Sequence, residues 1–110
     1  MNESDIQIAV WQHLQRRAVP GLVGFHPANG GKRSIQWATK LQRMGVVPGV
    51  SDLIFQPRYA LELKTESGRL TEAQEAFLEA VEASGGKADV AYGLNDALKK
   101  LRAWDLLKGE

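Results

Sequence analysis

The sequence contains no cysteine in its 110 residues. Disulfides, thiolate metal sites and cysteine nucleophiles are therefore excluded. No apolar run approaches the roughly 20 residues that a bilayer-spanning helix needs. The opening Met1-Asn2-Glu3-Ser4-Asp5 is acidic and lacks the basic start and apolar stretch of a secretory leader. These absences predict a cytoplasmic protein with no membrane partner. There is no Walker loop and no dinucleotide fingerprint, so no nucleotide cofactor is expected. Internal repeats and low-complexity tracts are missing as well.

One further absence is positional. The chain has 14 Lys and Arg against 13 Asp and Glu, a net charge of +1. Yet no acid falls between Ile6 and Ser51, a stretch that carries Arg16, Arg17, Lys32, Arg33, Lys40 and Arg43. A local excess of positive charge suits a polyanion such as nucleic acid. It equally suits a plain solvated surface. What remains is ordinary for a globular chain, with 44% hydrophobic and 25% charged residues. One domain over residues 1–110 is the expectation.

The elements can be read in order. Ser4 is a candidate cap for a first helix to about Arg17, with Ile6, Val10, Trp11 and Leu14 on one stripe. Pro20-Gly21 ends it, and Leu22 to His26 reads as a short strand. Ala28-Asn29-Gly30-Gly31-Lys32-Arg33 reads as a basic, glycine-rich loop. Ile35 to Met44 suits a helix with Ile35, Trp37, Ala38 and Leu41 inward and Gly45 as its terminator. Asp52 to Phe55 and Tyr59 to Lys64 form a tight hairpin. Thr71 caps a helix to about Ala83, with Gln74 completing a capping box. Lys87 to Tyr92 is a strand, and Asn95 starts a last helix to about Leu107. The order α, β, α, β, β, α, β, α predicts an α/β mixed sheet flanked by helices.

The chemistry lies in the hairpin. Side chains alternate along a strand, so Glu62 and Lys64 share a face and Leu61 and Leu63 share the other. The short turn sets Phe55 near Tyr59, and hence Asp52 near Glu62. Two neighbouring carboxylates repel unless a cation sits between them. Hard oxygen donors suit Mg²⁺ or Mn²⁺. Lys64 beside them would act on a phosphate as a point charge. Taken alone, Glu-x-Lys on a strand is also the pattern of one buried and one wet face. Gln74 is explained by its cap without any chemistry. His13 reads as a surface residue. His26 reads either as a phosphate contact or as a backbone hydrogen-bonding group. Trp37 and Trp104 read as core or interface.

The segments Gly45 to Leu53, Glu62-Leu63-Lys64 and Gly68 to Gln74 resemble the VRR-NUC domain of the PD-(D/E)xK nuclease superfamily. Glu3 with Gln7, the segment from His26 to Gly31, and the last strand and helix share the resemblance, which spans nearly the whole chain. It implies a restriction-endonuclease-like fold and a Mg²⁺- or Mn²⁺-dependent endodeoxyribonuclease. On that resemblance Asp52 and Glu62 match the metal-binding acids, Lys64 the catalytic lysine, and Gln74 a glutamine leaning toward the site. Glu3 matches an acid supplied by the first helix, and the Leu63 carbonyl a backbone metal ligand. Lys32, Arg33, Lys40, Arg43 and His26 would bind DNA. Short stand-alone members of phage and bacteria are similar to Holliday-junction resolvases, which implies branched DNA, a role in DNA repair and a two-fold homodimer. Flap, nicking or general cleavage, or DNA binding without catalysis, are the alternatives. The family often has proline before the aspartate, where this chain has Ser51.

Overall fold

The computed structural model describes residues 1–27, 34–56 and 58–109. The elements run α1 (Glu3–Arg17), β1 (Gly24–Phe25), α2 (Ile35–Arg43), β2 (Leu53–Phe55), β3 (Tyr59–Lys64), α3 (Glu72–Ala83), β4 (Lys87–Tyr92) and α4 (Leu94–Ala103). This is the predicted order. The strands form one sheet in the order β1-β2-β3-β4. The first two pairings are antiparallel and β3 pairs parallel to β4. The parallel return from β3 to β4 runs through α3, as a parallel pair requires a crossover.

Helices lie on both faces of the sheet. Leu53, Phe55, Leu61 and Leu63 form a core with Ile6, Val10 and Leu14 of α1 and Ala97, Leu98 and Leu101 of α4. The alternate β3 residues Ala60, Glu62 and Lys64 are also buried, on the face that carries α3. The alternative reading of Glu62 and Lys64 as a wet face does not hold. A hairpin strand reads as half-exposed only until a second helix layer covers it.

Several local expectations also shift. Asn2, not Ser4, caps α1: its side chain accepts from the Asp5 N–H at 2.8 Å, and Asp5 Oδ2 accepts from the Asn2 N–H at 3.3 Å. That is a reciprocal capping box, two residues earlier than a Ser4 cap. The expected strand over Leu22 to His26 shrinks to two residues. Helix α2 forms under a Ser34 cap, but none of its residues is buried, and Ile35 is 85% exposed. Its inward face, Trp37 included, is thus corrected, because amphipathic spacing does not guarantee a partner surface. Gly45 terminates it at φ +104°, as read. Helix α4 starts after Gly93 rather than on an Asn95 cap, and it stops at Ala103. Asp105 at φ +59° breaks the helix, and Leu106 and Leu107 return to the core as extended chain.

Candidate metal centre and the groove beside it

The hairpin register assembles the acids. Phe55 pairs with Tyr59 and Leu53 with Leu61, so the next position sets Asp52 beside Glu62. Asp52 lies just before the start of β2, and its Oδ2 accepts the Leu63 N–H at 2.8 Å. The carboxylate thus takes the place of a ladder partner and is fixed in orientation. Glu3, at the start of α1, completes the group. One carboxylate oxygen from each of Glu3, Asp52 and Glu62 lies within 4.8 Å of the others.

Glu62 is 2% exposed and Lys64 6%. Lys64 Nζ stands 4.0 Å from Glu62 Oε2. The Glu62 carboxyl is pushed up to about 9. Burial is the largest cause, followed by hydrogen bonding to Asp52 and the Asp52 charge, with Glu3 adding repulsion; Lys64 alone opposes them. A divalent cation relieves that repulsion, and three hard oxygen donors fit Mg²⁺ or Mn²⁺ far better than a soft metal.

Gln74 serves two structures at once. Its Oε1 accepts the Thr71 N–H at 2.9 Å, closing the predicted capping box, while its Nε2 donates to Glu62 Oε2 at 3.3 Å. The cap orients the amide so that its donor end meets the carboxylate. Gly49 sets the turn before Asp52 against α3. It sits at φ +79°, and a Cβ there would stand 2.3 Å from the Ala73 backbone and 2.7 Å from Gln74 N. The turn before Asp52 is therefore pressed onto the first turn of α3, where only glycine fits. Ser51 in the same turn is fully buried, and its hydroxyl has no hydrogen-bond partner among the described residues. Gly68 crosses the stem of Lys64, 3.2 Å from its Cβ by the same measure.

The structure thus brings together Glu3, Asp52, Glu62, Lys64 and Gln74, with Leu63 between the acid and the lysine. His26 is exposed and its Nδ1 lies 2.7 Å from the Asp52 carbonyl oxygen. A carbonyl only accepts, so Nδ1 carries a proton and donates it to that oxygen. His13 pairs with Arg17 at 2.8 Å. Lys40 and Arg43 are exposed on α2, where Lys40 Nζ lies 5.6 Å from the Trp37 ring centre. Lys32 and Arg33, with the glycine loop, lie outside the described residues.

A groove of about 970 Å³ adjoins the acids, and Glu3 and Asp52 are part of its wall. Trp11, Phe25, Gln12, Gln15 and His26 line it too. Trp11, expected on the inward stripe of α1, is 37% exposed and faces this groove. The missed signal was the second stripe of α1, in which Gln7, Trp11 and Gln15 recur at four-residue spacing.

A solved structure named "VRR_NUC domain protein" shares this fold, with a TM-score of 0.75 and 23% sequence identity over 93% of this chain and 86% of that one. No family model matches the chain, and no curated protein is significantly similar to it. The likeness establishes the architecture, a small mixed α/β sheet flanked by helices, and it meets the family resemblance drawn from the motif residues at the level of fold.

Proposed function

We propose that this protein is a Mg²⁺- or Mn²⁺-dependent endodeoxyribonuclease that hydrolyses phosphodiester bonds in branched or structured DNA. The observation that carries the reading is the convergence of Glu3, Asp52 and Glu62 within 4.8 Å, with the Lys64 ammonium 4.0 Å from Glu62. Capped helices and surface ion pairs do not require three carboxylates to face one another, one of them buried. A divalent cation held by these oxygens supplies charge neutralisation at the phosphate and activation of the attacking water.

The chain's own residues do the rest. The Leu63 N–H holds Asp52 in one orientation. The N–H and C=O of a strand residue face the same neighbour, so the Leu63 carbonyl is directed to the Asp52 side, beyond the last β2 pairing, as a fourth oxygen donor. Gln74 holds Glu62. Lys64 stabilises the negative charge that grows on the phosphate as the water oxygen bonds to phosphorus and the ester oxygen leaves. No covalent enzyme intermediate forms. Exposed Lys40 and Arg43, with Lys32, Arg33 and His26, contact backbone phosphates.

Two coordinated cuts at a four-way junction need two such sites, and a two-fold homodimer is the simplest supply. No helix among the described residues is long and apolar enough to cross a membrane, in keeping with a cytoplasmic DNA substrate. Cleavage of labelled four-way junction, flap, fork and linear duplex by purified protein with Mg²⁺ or Mn²⁺ tests the proposal. Metal-dependent cutting of at least one branched form over linear duplex is the expected result. A protein that binds these forms and cuts none is a binding module.

A further inference from the structure

We propose that the groove along α1 holds an unpaired DNA strand next to the scissile phosphate, with Trp11 and Phe25 as base-stacking surfaces. This deepens the nuclease reading and rests on it. The groove wall follows α1 from Glu3 to Gln15. The twelve helical steps between them span about 18 Å at 1.5 Å per residue. Glu3 belongs to the acidic cluster, so the groove starts at the candidate metal centre and leads away from it.

Its lining chemistry selects the occupant. Past the two acids, the described groove residues carry no formal charge when His26 is neutral. Trp11 and Phe25 are 37% and 45% exposed, and both line it. Flat aromatic faces stack bases of any sequence. Gln7, Gln12 and Gln15 each offer a donor and an acceptor, which suits base edges that are not paired. A length of about 18 Å accommodates about five stacked nucleotides at 3.4 Å each. The substrate class is therefore a branched DNA with unpaired nucleotides at the cut.

The test uses the full chain in EDTA, so that nothing is cut, with fluorescence anisotropy of three probes. They are a thymidine oligonucleotide, a paired duplex, and that duplex carrying an unpaired thymidine tail. Stacking is worth about 1–3 kcal/mol per base, so Trp11→Ala or Phe25→Ala should weaken binding of the oligonucleotide and the tailed duplex by about 5- to 150-fold. Paired duplex should bind each variant as it binds wild type, and Trp11→Phe should restore most of the loss. Unchanged melting temperatures certify folding; where Trp11→Ala fails to fold, Phe25→Ala and Gln12→Ala decide by the same probes. Wild-type affinity for the oligonucleotide in the alanine variants overturns the proposal, as does an equal loss on paired duplex. So does a wild-type dimer that Trp11→Ala dissociates, since the groove is then an interface between copies. With metal added, wild-type cleavage alongside unaltered variants sinks the groove and leaves the nuclease standing. No wild-type cleavage of any DNA sinks the nuclease reading itself.

Discussion

Replacing Glu62 by glutamine should make the metal-free protein more stable at neutral pH. Glu62 is buried beside Asp52 and Glu3, and its carboxyl is pushed from 4.5 to about 9. Between those values the folded chain holds a proton that the unfolded chain releases. A raised carboxyl favours folding fully only below the unfolded value, and that stability drains away as pH climbs toward the folded one. One proton corresponds to about 1.4 kcal/mol per pH unit. From about pH 5.5 to about pH 7.5 the wild type should therefore lose about 3 kcal/mol through this residue. Glu62→Gln keeps the shape and an amide that still meets Gln74, and it removes the titration. Urea unfolding in EDTA at several pH values measures both slopes. The wild-type midpoint should fall across that range while the variant's stays flatter and lies above it at the upper end. Added Mn²⁺ or Mg²⁺ should then raise wild-type stability and leave the variant nearly unchanged, because binding the ion requires the carboxylate. Parallel pH profiles, or a variant less stable than wild type in EDTA at about pH 7.5, would refute the reasoning.

Substitutions at three other positions probe separate parts of the site. Lys64→Ala should lower the single-turnover cleavage rate by about 100-fold or more while DNA affinity changes little, since its charge acts as the phosphate is attacked; equal losses in rate and affinity would make it a plain phosphate contact. Gly49→Ala combines φ +79° with a 2.3 Å backbone clash at Ala73, and should cost at least about 2 kcal/mol in denaturant unfolding. Gln74→Ala should cost about 1 kcal/mol of stability through the lost cap and reduce cleavage through a freed Glu62. Gln74→Glu should recover the stability, because its oxygen still accepts from Thr71, without recovering cleavage; full recovery of both would reduce Gln74 to a cap.

The parts of the fold that were legible in the sequence are those with a local cause. Thr71 and Gln74 mark a helix start by chemistry that needs no tertiary partner, and α3 begins where they predict. Lys87 to Tyr92 emerges as the strand read from the sequence. The meeting of Asp52 and Glu62 follows from hairpin length alone. Features set by distant packing were not legible. Alternation divides β3 into two faces but does not say that α3 buries the second, so the burial of Glu62 and Lys64 was not legible. The stripe on α2 shows which residues would be buried together, and nothing in its spacing reveals that they stay exposed. Trp11 sits at a spacing that serves either stripe of α1, and only the fold assigns it to the groove. The tie between Gly49 and Ala73 joins residues 24 positions apart, beyond the reach of any local pattern.

The central claim is that the carboxylates of Asp52 and Glu62 hold the ion that drives phosphodiester hydrolysis. Single-turnover cleavage of a branched DNA, titrated with Mn²⁺ for wild type and Asp52→Asn, tests it most directly. The account predicts saturable, metal-dependent cutting by wild type. Asp52→Asn should show no cutting at any Mn²⁺ concentration, although it folds and binds the same DNA. Cleavage by Asp52→Asn at the wild-type rate, or wild-type cleavage that persists in EDTA, would contradict it.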